Sequence, residues 1–91
     1  MQHSEWNEFI SENVVIDTST NFVFIGKLTA VQDYFVVLET VDVHDCRESS
    51  STREKYVMDV KKFGIKPNRK KVSVRKELIV SISKLDDIIE Y

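Results

Sequence analysis

Residues 21–43 limit the possible folds of this chain more than any other segment. They read NFVFIGKLTAVQDYFVVLETVDV, and side-chain character along them repeats with a period of two. Apolar residues fall on both faces: Phe22, Phe24, Leu28 and Ala30 on one, and Val23, Ile25 and Val31 on the other. The pattern predicts two long strands joined by a tight turn at Gln32-Asp33. Because both faces are apolar, other parts of the chain must cover this hairpin on both sides.

Gly26 lies in the middle of the first of these two strands. A glycine weakens a strand unless the missing side chain allows a sharp bend or a close approach of two backbones. We therefore predict that the sheet bends at Gly26 and curls into a small barrel.

Three shorter strands are predicted outside the hairpin. Residues 14–17 are interpreted as a first strand, Val72 and Val74 alternate with charged or hydroxyl side chains over residues 71–75, and residues 78–83 place Leu78, Val80 and Ile82 on one face. The fold class is therefore mainly β, with five strands that close best as a strongly bent barrel. The last two strands are expected to present free edges, and a free edge pairs readily with another copy of the chain.

Two helices and a final turn complete the expected elements. Ser4 can cap a short helix over residues 5–11, with Trp6, Phe9 and Ile10 on one face of it. The tail, residues 84–91, is predicted to form one last helical turn.

The second helix falls in an insert, residues 44–70, between the third and fourth strands. Ser51-x-x-Glu54 matches a capping box, and Gly64 suits the position just after a helix. These signals predict a helix over residues 52–63, preceded by a polar, mobile loop.

Composition favours one domain over residues 1–91. The chain is 42% apolar and 31% charged, which suits a small core with a soluble surface. No apolar run approaches a membrane span, and the first residues lack a signal pattern, so we expect a cytoplasmic protein. The single Cys46 cannot form an internal disulfide.

Charge is distributed unevenly along the chain. Residues 53–76 contain ten Lys or Arg against two acidic residues, a net charge of +8. The rest of the chain has three basic and thirteen acidic residues, a net charge of −10. Such asymmetry points to a binding partner.

Two motifs resemble those of the Sm and Sm-like (Lsm, Hfq) superfamily, over residues 14–89. The first is Gly26-Lys27-Leu28, followed by Asp33 and the apolar strand that ends at Glu39. The second is the run VSVRKELIVSI at residues 72–82. The resemblance implies an SH3-like, Sm-like barrel that forms rings, with an N-terminal helix. Within the superfamily, the chain most resembles divergent bacterial Sm-like proteins.

The chain departs from the superfamily pattern at the RNA pocket. The family's RNA-binding Asn falls on Val36 or Val37, and the Gly of its Arg-Gly pair is Lys76. The resemblance therefore implies the fold and the assembly habit more strongly than a uridine pocket.

Two functions compete for the basic segment. In the first, RNA binds through basic residues that contact its phosphates, namely Arg69, Lys70, Lys71, Arg75 and Lys76. The resemblance adds Asp33 of the first motif to the candidate RNA-binding residues. Tyr34, Tyr56 and Phe63 are candidates for stacking on bases. Alternatively, the +8 segment contacts the −10 remainder of a neighbouring copy, or its lysines are only solvated while Tyr56 and Phe63 pack inward.

Arg75 has two possible roles. In the resembled family it faces the RNA channel, whereas a structural arginine here would bond Asp33.

Catalytic and metal sites are not expected. His44-Asp45-Cys46 with Glu48 are ligand-type residues, but no second Cys/His pair has zinc-site spacing, so we interpret them as a solvated loop. His3 adds nothing to that set. No nucleophile has a rigid base beside it, and two glycines make no phosphate-binding loop. We expect a non-enzymatic protein without a cofactor.

Overall fold

A computed structural model of the chain describes residues 5–47 and 52–90. The strands are β1 (Asn13–Thr18), β2 (Phe22–Val31), β3 (Phe35–Asp45), β4 (Arg69–Arg75) and β5 (Ile79–Lys84). The α-helix α1 spans Arg53–Phe63, and short 3-10 turns lie at Asn7–Phe9, Lys76–Leu78 and Leu85–Asp87.

The five strands form one antiparallel sheet in the order β4-β3-β2-β1-β5. This confirms the predicted mainly β fold with five strands. The long β2–β3 hairpin is central, and β4 and β5 are the two outermost strands.

The sheet bends where Gly26 crosses β3. The pairing register slips by one residue there, because Ile25 lies opposite Asp42 while Lys27 lies opposite Glu39. The extra residue is taken up around Thr40, whose φ of 53° is left-handed. A Cβ on Gly26 would lie 3.1 Å from the Glu39 carbonyl oxygen, so only glycine allows this approach without a shift. The predicted role of Gly26 is confirmed.

One face of the sheet forms the main hydrophobic core. Its fully buried side chains include Ile16, Leu28 and Leu38. The N-terminal segment covers this face through Trp6, Phe9 and Ile10. The opposite face carries a second cluster, Val15, Val23 and Ile25, on which α1 packs Val57 and Val60. Both faces of the hairpin are therefore covered, as its alternation predicts.

α1 begins one residue later than the capping-box motif indicates. Its N-cap is Thr52, whose Oγ1 accepts a hydrogen bond of 3.1 Å from the Lys55 N–H. Ser51, the predicted cap, lies outside the described residues. The helix ends at Phe63, and Gly64 adopts a left-handed φ of 95° while its N–H donates to the Val60 carbonyl.

The N-terminal α-helix predicted over residues 5–11 is wrong. Only Asn7–Phe9 is helical, as a 3-10 turn, and the backbone is already extended at Ile10. Ser11 then adopts a φ of 69° and its N–H donates to the Leu28 carbonyl at 2.7 Å. Pairing with β2 thus ends the helix early. Ser4, its predicted cap, lies outside the described residues.

Two other element boundaries differ from the prediction. His44 and Asp45 belong to β3 rather than to a loop, because β2 continues to pair with them as far as Phe22. The tail is helical only at Leu85–Asp87. Tyr91, where the predicted final turn ends, lies outside the described residues.

Candidate functional site

The outermost strands each have an edge that no described strand covers. Such an edge exposes backbone N–H and C=O groups that can pair with a strand of another molecule. The two edge strands differ in chemistry. β4 begins with the exposed basic residues Arg69, Lys70 and Lys71, whereas β5 exposes the apolar Val80, which is 70% accessible. The molecule therefore presents two unlike edges.

The turn between β2 and β3 packs against the connection between β4 and β5. The Lys76 N–H donates to the Tyr34 carbonyl at 2.9 Å, and Arg75 pairs with Phe35 across the ladder. An open cavity of about 170 Å³ lies at this place, which we call the loop corner. It is lined by Asp33, Tyr34, Arg75, Lys76 and Glu77. Tyr34 is 74% exposed, and an exposed aromatic ring is a surface on which a planar ligand can stack.

Arg75 does not pair with Asp33, in contrast to the structural role considered for it above. Its Nη2 lies 2.6 Å from Glu77 Oε1, in an ion pair that is more than half exposed on both sides. The partner is local because the Lys76–Leu78 turn brings Glu77 back beside Arg75. Lys76 holds its ammonium 5.6 Å from the centre of the Trp6 ring. The loop corner is therefore lined by polar side chains, and two of them, Arg75 and Glu77, are paired with each other.

The six residues predicted for nucleic-acid binding fall into two groups. Asp33, Arg75 and Lys76 line the loop corner. Arg69, Lys70 and Lys71 lie toward the other end of β4, roughly 13–20 Å from Arg75 at the rise of a β-strand.

The far end of β4 is fixed by Asn68. Its side-chain amide donates to the Val43 carbonyl and accepts from the Val43 N–H, both at 3.0 Å. This side chain continues the ladder before the strand starts. Arg69 and Lys70 therefore project from an ordered edge, beside an open cavity of about 290 Å³ that Thr40 and Pro67 also line.

A groove that the sequence did not predict lies between α1 and β5, and we call it the α1–β5 groove. Its volume is about 310 Å³. It is lined by Val15, Asp17, Arg53, Glu54, Val57, Met58, Ser83, Ile88 and Ile89. Arg53 Nη1 donates to Asp17 Oδ1 at 2.6 Å, and this hydrogen bond raises the pKa of the guanidinium. The only sequence signal for this ion pair is the opposite charge of residues 17 and 53. Because 36 residues separate them, no local pattern links the two.

The predicted solvated loop around His44 is wrong. The imidazole stacks on the Tyr56 ring, with centroids 3.8 Å apart and an interplanar angle of 10°. Asp45 instead binds Arg47, which lowers the pKa of that carboxyl through a side-chain hydrogen bond. Across residues 5–47 and 52–90, no group of three or more His, Cys, Asp or Glu is placed to hold a metal ion. Glu48 and His3 lie outside the described residues.

The aromatic candidates separate into buried and exposed. Tyr56 packs inward, while Phe63 is 67% exposed with the Lys62 ammonium 5.6 Å from its ring centre. Among the described residues, no helix is long and apolar enough to cross a membrane.

The fold is similar to that of solved Sm-like proteins. No protein-family model matches the chain, and no curated protein matches its sequence. A Pyrococcus abyssii Sm protein solved with a uridine heptamer shares 16% identity at a TM-score of 0.58, covering 86% of this chain and 89% of that one.

Two further structures contain the same kind of fold. A chain of the NatC complex bound to CoA shares 19% identity at a TM-score of 0.56, covering 90% of this chain and 86% of that one. A chain of the NatC complex bound to Gag peptide and CoA shares 19% identity at a TM-score of 0.55, with coverages of 86% and 87%. The chain has an Sm-like fold.

Proposed function

We propose that this chain is a non-enzymatic Sm-like protein that assembles with copies of itself by pairing the free edge of β4 with the free edge of β5. The observation that carries the proposal is the strand order, which leaves these two strands outermost at opposite sides of one sheet. Each unpaired edge of a β-sheet can extend the sheet with a strand from another molecule. Unlike edges pair head to tail, and such contacts close into rings when the rotation permits.

The exposed side chain of Val80 supports the same interpretation. An apolar residue that is 70% accessible on an edge strand is unusual in a chain that stays monomeric, because edge strands are normally protected by charge or covered. β5 carries no charged residue before Lys84. This edge therefore lacks the common protection against pairing.

The assembly is tested by measuring molar mass with light scattering over a range of concentrations. We expect a mass above that of the monomer, and Val80→Lys should lower it because a charged side chain on the edge opposes pairing. Phe63→Lys is the matched control, since Phe63 is similarly exposed but lies on α1. A wild-type protein that stays monomeric at every concentration would contradict the proposal.

A second candidate function, favoured by the loop corner, is binding of single-stranded RNA. The exposed Tyr34 ring lies beside the cationic Lys76, and stacking with charge is the usual chemistry of single-strand recognition. The similar Pyrococcus abyssii Sm protein was solved with a uridine heptamer. Arg69, Lys70 and Lys71 would add contacts to phosphates farther along β4.

RNA binding is tested with a labelled uridine oligomer at several salt concentrations. Tyr34→Ala should weaken binding by about 1–3 kcal/mol through lost stacking. Replacing Arg69, Lys70 and Lys71 with Ala should flatten the salt dependence by roughly 0.7 per lost phosphate contact. Phe63→Ala, on the other exposed ring, should leave the affinity unchanged. If no oligomer binds, the protein is a self-assembling structural module without a nucleic-acid ligand.

A further inference from the structure

Trp6 lies beside the loop corner and is the only tryptophan of the chain. The Lys76 ammonium is 5.6 Å from the centre of the Trp6 ring, within the distance over which an aromatic face attracts a cation. Lys76 also lines the cavity of the loop corner, whereas Trp6 does not. The N-terminal segment is therefore linked to this cavity through the Lys76 side chain.

The segment that carries Trp6 is fixed to the sheet. The Ser11 N–H donates to the Leu28 carbonyl at 2.7 Å, which ties the segment to β2. Phe9 and Ile10 pack with Trp6 against the main core, and Trp6 is half-buried there. A ring held by packing has few alternative positions, so it can restrict a flexible side chain that lies against it.

The two cations of the loop corner have different partners. Arg75 forms an ion pair with Glu77, so a carboxylate already compensates its charge. Lys76 forms no ion pair in the described part of the chain, and its ammonium lies over a neutral ring. An ammonium on an aromatic face keeps its charge and has three N–H donors, so it can still bind an anion.

The loop corner as a whole carries no net charge. Asp33 and Glu77 offset Arg75 and Lys76 among the five residues that line the cavity. Long-range attraction of an anion to this place is therefore weak, and direct contact with an ammonium must hold it. Lys76 is the cation best placed to make that contact.

We infer that Trp6 is a positioning residue of the loop corner, whose ring holds the Lys76 ammonium ready for the phosphate of a nucleotide that stacks on Tyr34. The inference rests on the RNA binding proposed above and adds a residue of the N-terminal segment that sets its strength. A lysine side chain loses much rotamer freedom when it binds a phosphate. Trp6 removes part of that freedom beforehand, and such pre-organisation strengthens binding.

The placement of Tyr34 agrees with this role. The Lys76 N–H donates to the Tyr34 carbonyl at 2.9 Å, so the two residues are joined through their backbones. Tyr34 is exposed, while Lys76 is half-buried. The loop corner therefore suits a planar ring that carries an anionic group close to it, as a nucleotide does.

Two substitutions of Trp6 separate positioning from simple packing. Leucine and phenylalanine are both apolar, but only phenylalanine has a ring face that attracts a cation. Trp6→Leu should weaken binding of a labelled uridine oligomer roughly two- to fivefold, measured by fluorescence anisotropy. Trp6→Phe should stay within about twofold of the wild type.

A double-mutant cycle with Lys76→Met identifies the side chain through which Trp6 acts. Lys76→Met should itself weaken binding and flatten the salt dependence by roughly 0.7, the value for one lost phosphate contact. In a chain that already carries Lys76→Met, Trp6→Leu should have no further effect on affinity, because the ring then has no cation to hold. Phe9→Leu is the matched control, since Phe9 packs against the same core and no cation lies over its ring among the described residues. It should leave the affinity unchanged.

Tryptophan emission gives a second readout that a packing role would not move. Because the chain has one tryptophan, its emission reports directly on the contact with Lys76. Unlabelled uridine oligomer should change the emission of the wild type with the dissociation constant found by anisotropy. The change at saturation should be much smaller in Lys76→Met.

The outcomes distinguish this inference from the RNA binding on which it rests. A wild type that binds no uridine oligomer overturns both. A wild type that binds, but keeps its affinity in Trp6→Leu or loses it equally in Trp6→Phe, overturns the inference alone. An equal effect of Trp6→Leu with and without Lys76→Met also overturns it, as does a wild-type emission that stays constant while the oligomer binds. If circular dichroism shows that Trp6→Leu is unfolded, the same cycle is run with Trp6→Met, which is also apolar and has no ring.

Discussion

The imidazole of His44 on β3 lies parallel to the Tyr56 ring on α1, with 3.8 Å between the ring centroids. One polar atom of each residue is enclosed: His44 Nε2 and the Tyr56 hydroxyl are buried without a hydrogen-bond partner of acceptable geometry. The contact joins the insert helix to the hairpin. The ring stack therefore contributes to the docking of α1, while the two polar atoms oppose it.

We predict opposite effects for two substitutions of Tyr56. Tyr56→Phe keeps the ring and removes a buried hydroxyl that has no partner, so stability should stay equal or rise by up to about 1 kcal/mol. Tyr56→Ala removes the ring and should cost about 3–5 kcal/mol. Chemical denaturation of the three proteins measures both changes. A Phe variant that is less stable than the wild type by about 1 kcal/mol or more would show that the hydroxyl is hydrogen-bonded in the folded protein.

Stability should also fall at high pH because of the same hydroxyl. Burial, and then the nearby Asp42 carboxylate, raise the pKa of Tyr56 well above its usual value of about 10. The folded state therefore favours the neutral phenol, so this contribution is fully present below pH of about 10 and is lost as pH rises further.

The pH effect is measured as the difference between wild type and Tyr56→Phe. Above pH of about 10 the wild type should lose up to about 1.4 kcal/mol per pH unit more than the variant, because only its unfolded state releases the phenolic proton there. Parallel stability curves for the two proteins would contradict the assignment.

Local patterns predicted the sheet, because strict alternation over two long segments is typical of strands and does not fit the period of a helix. The apolar hairpin and Gly26 led to five strands and a bend, and both are present. The pattern failed at His44, because the bulge at Thr40 shifts the alternation by one residue and turns the later part of β3 toward α1.

The candidate site was only partly predictable, for a similar reason. Lys76 and Asp33 come together because two turns pack against each other, whereas the sequence suggests only a contact of Asp33 with Arg75. Arg75 forms an ion pair with Glu77 because a short 3-10 turn joins β4 to β5, where the sequence predicts only a simple connection. The α1–β5 groove depends on the distance between α1 and the sheet on which it packs. No local sequence pattern predicts that distance.

Replacing Gly26 should destabilise the protein through steric contact. In Gly26→Ala the new methyl group would lie 3.1 Å from the Glu39 carbonyl oxygen and from the Val41 Cα. These backbone atoms belong to the β2–β3 ladder and cannot move independently, so we expect a loss of about 1–3 kcal/mol. Thermal unfolding measures it, and Gly26→Val should be worse.

Gly64→Ala is the comparison for this substitution. No atom lies within 4 Å of a Cβ at that position, so only its backbone conformation, φ 95° with ψ 166°, adds a cost, about 1–3 kcal/mol. Enlarging this side chain further should add no steric penalty. A Gly26→Ala protein that unfolds at the wild-type temperature would show that the two strands can separate freely at the bend.

Thr40 offers a way to stabilise the bend. It is exposed, and its φ of 53° is left-handed, which a β-branched residue adopts at a cost while asparagine tolerates it. Thr40→Asn should therefore raise the free energy of unfolding by about 0.5–1 kcal/mol without removing a buried contact. Thr29→Asn is the matched control, because Thr29 lies in β2 outside the left-handed region and asparagine is a poor strand residue there. Denaturant midpoints should move in opposite directions for the two variants. A loss of stability in both would mean that the threonine side chain, rather than the backbone, determines stability at the bulge.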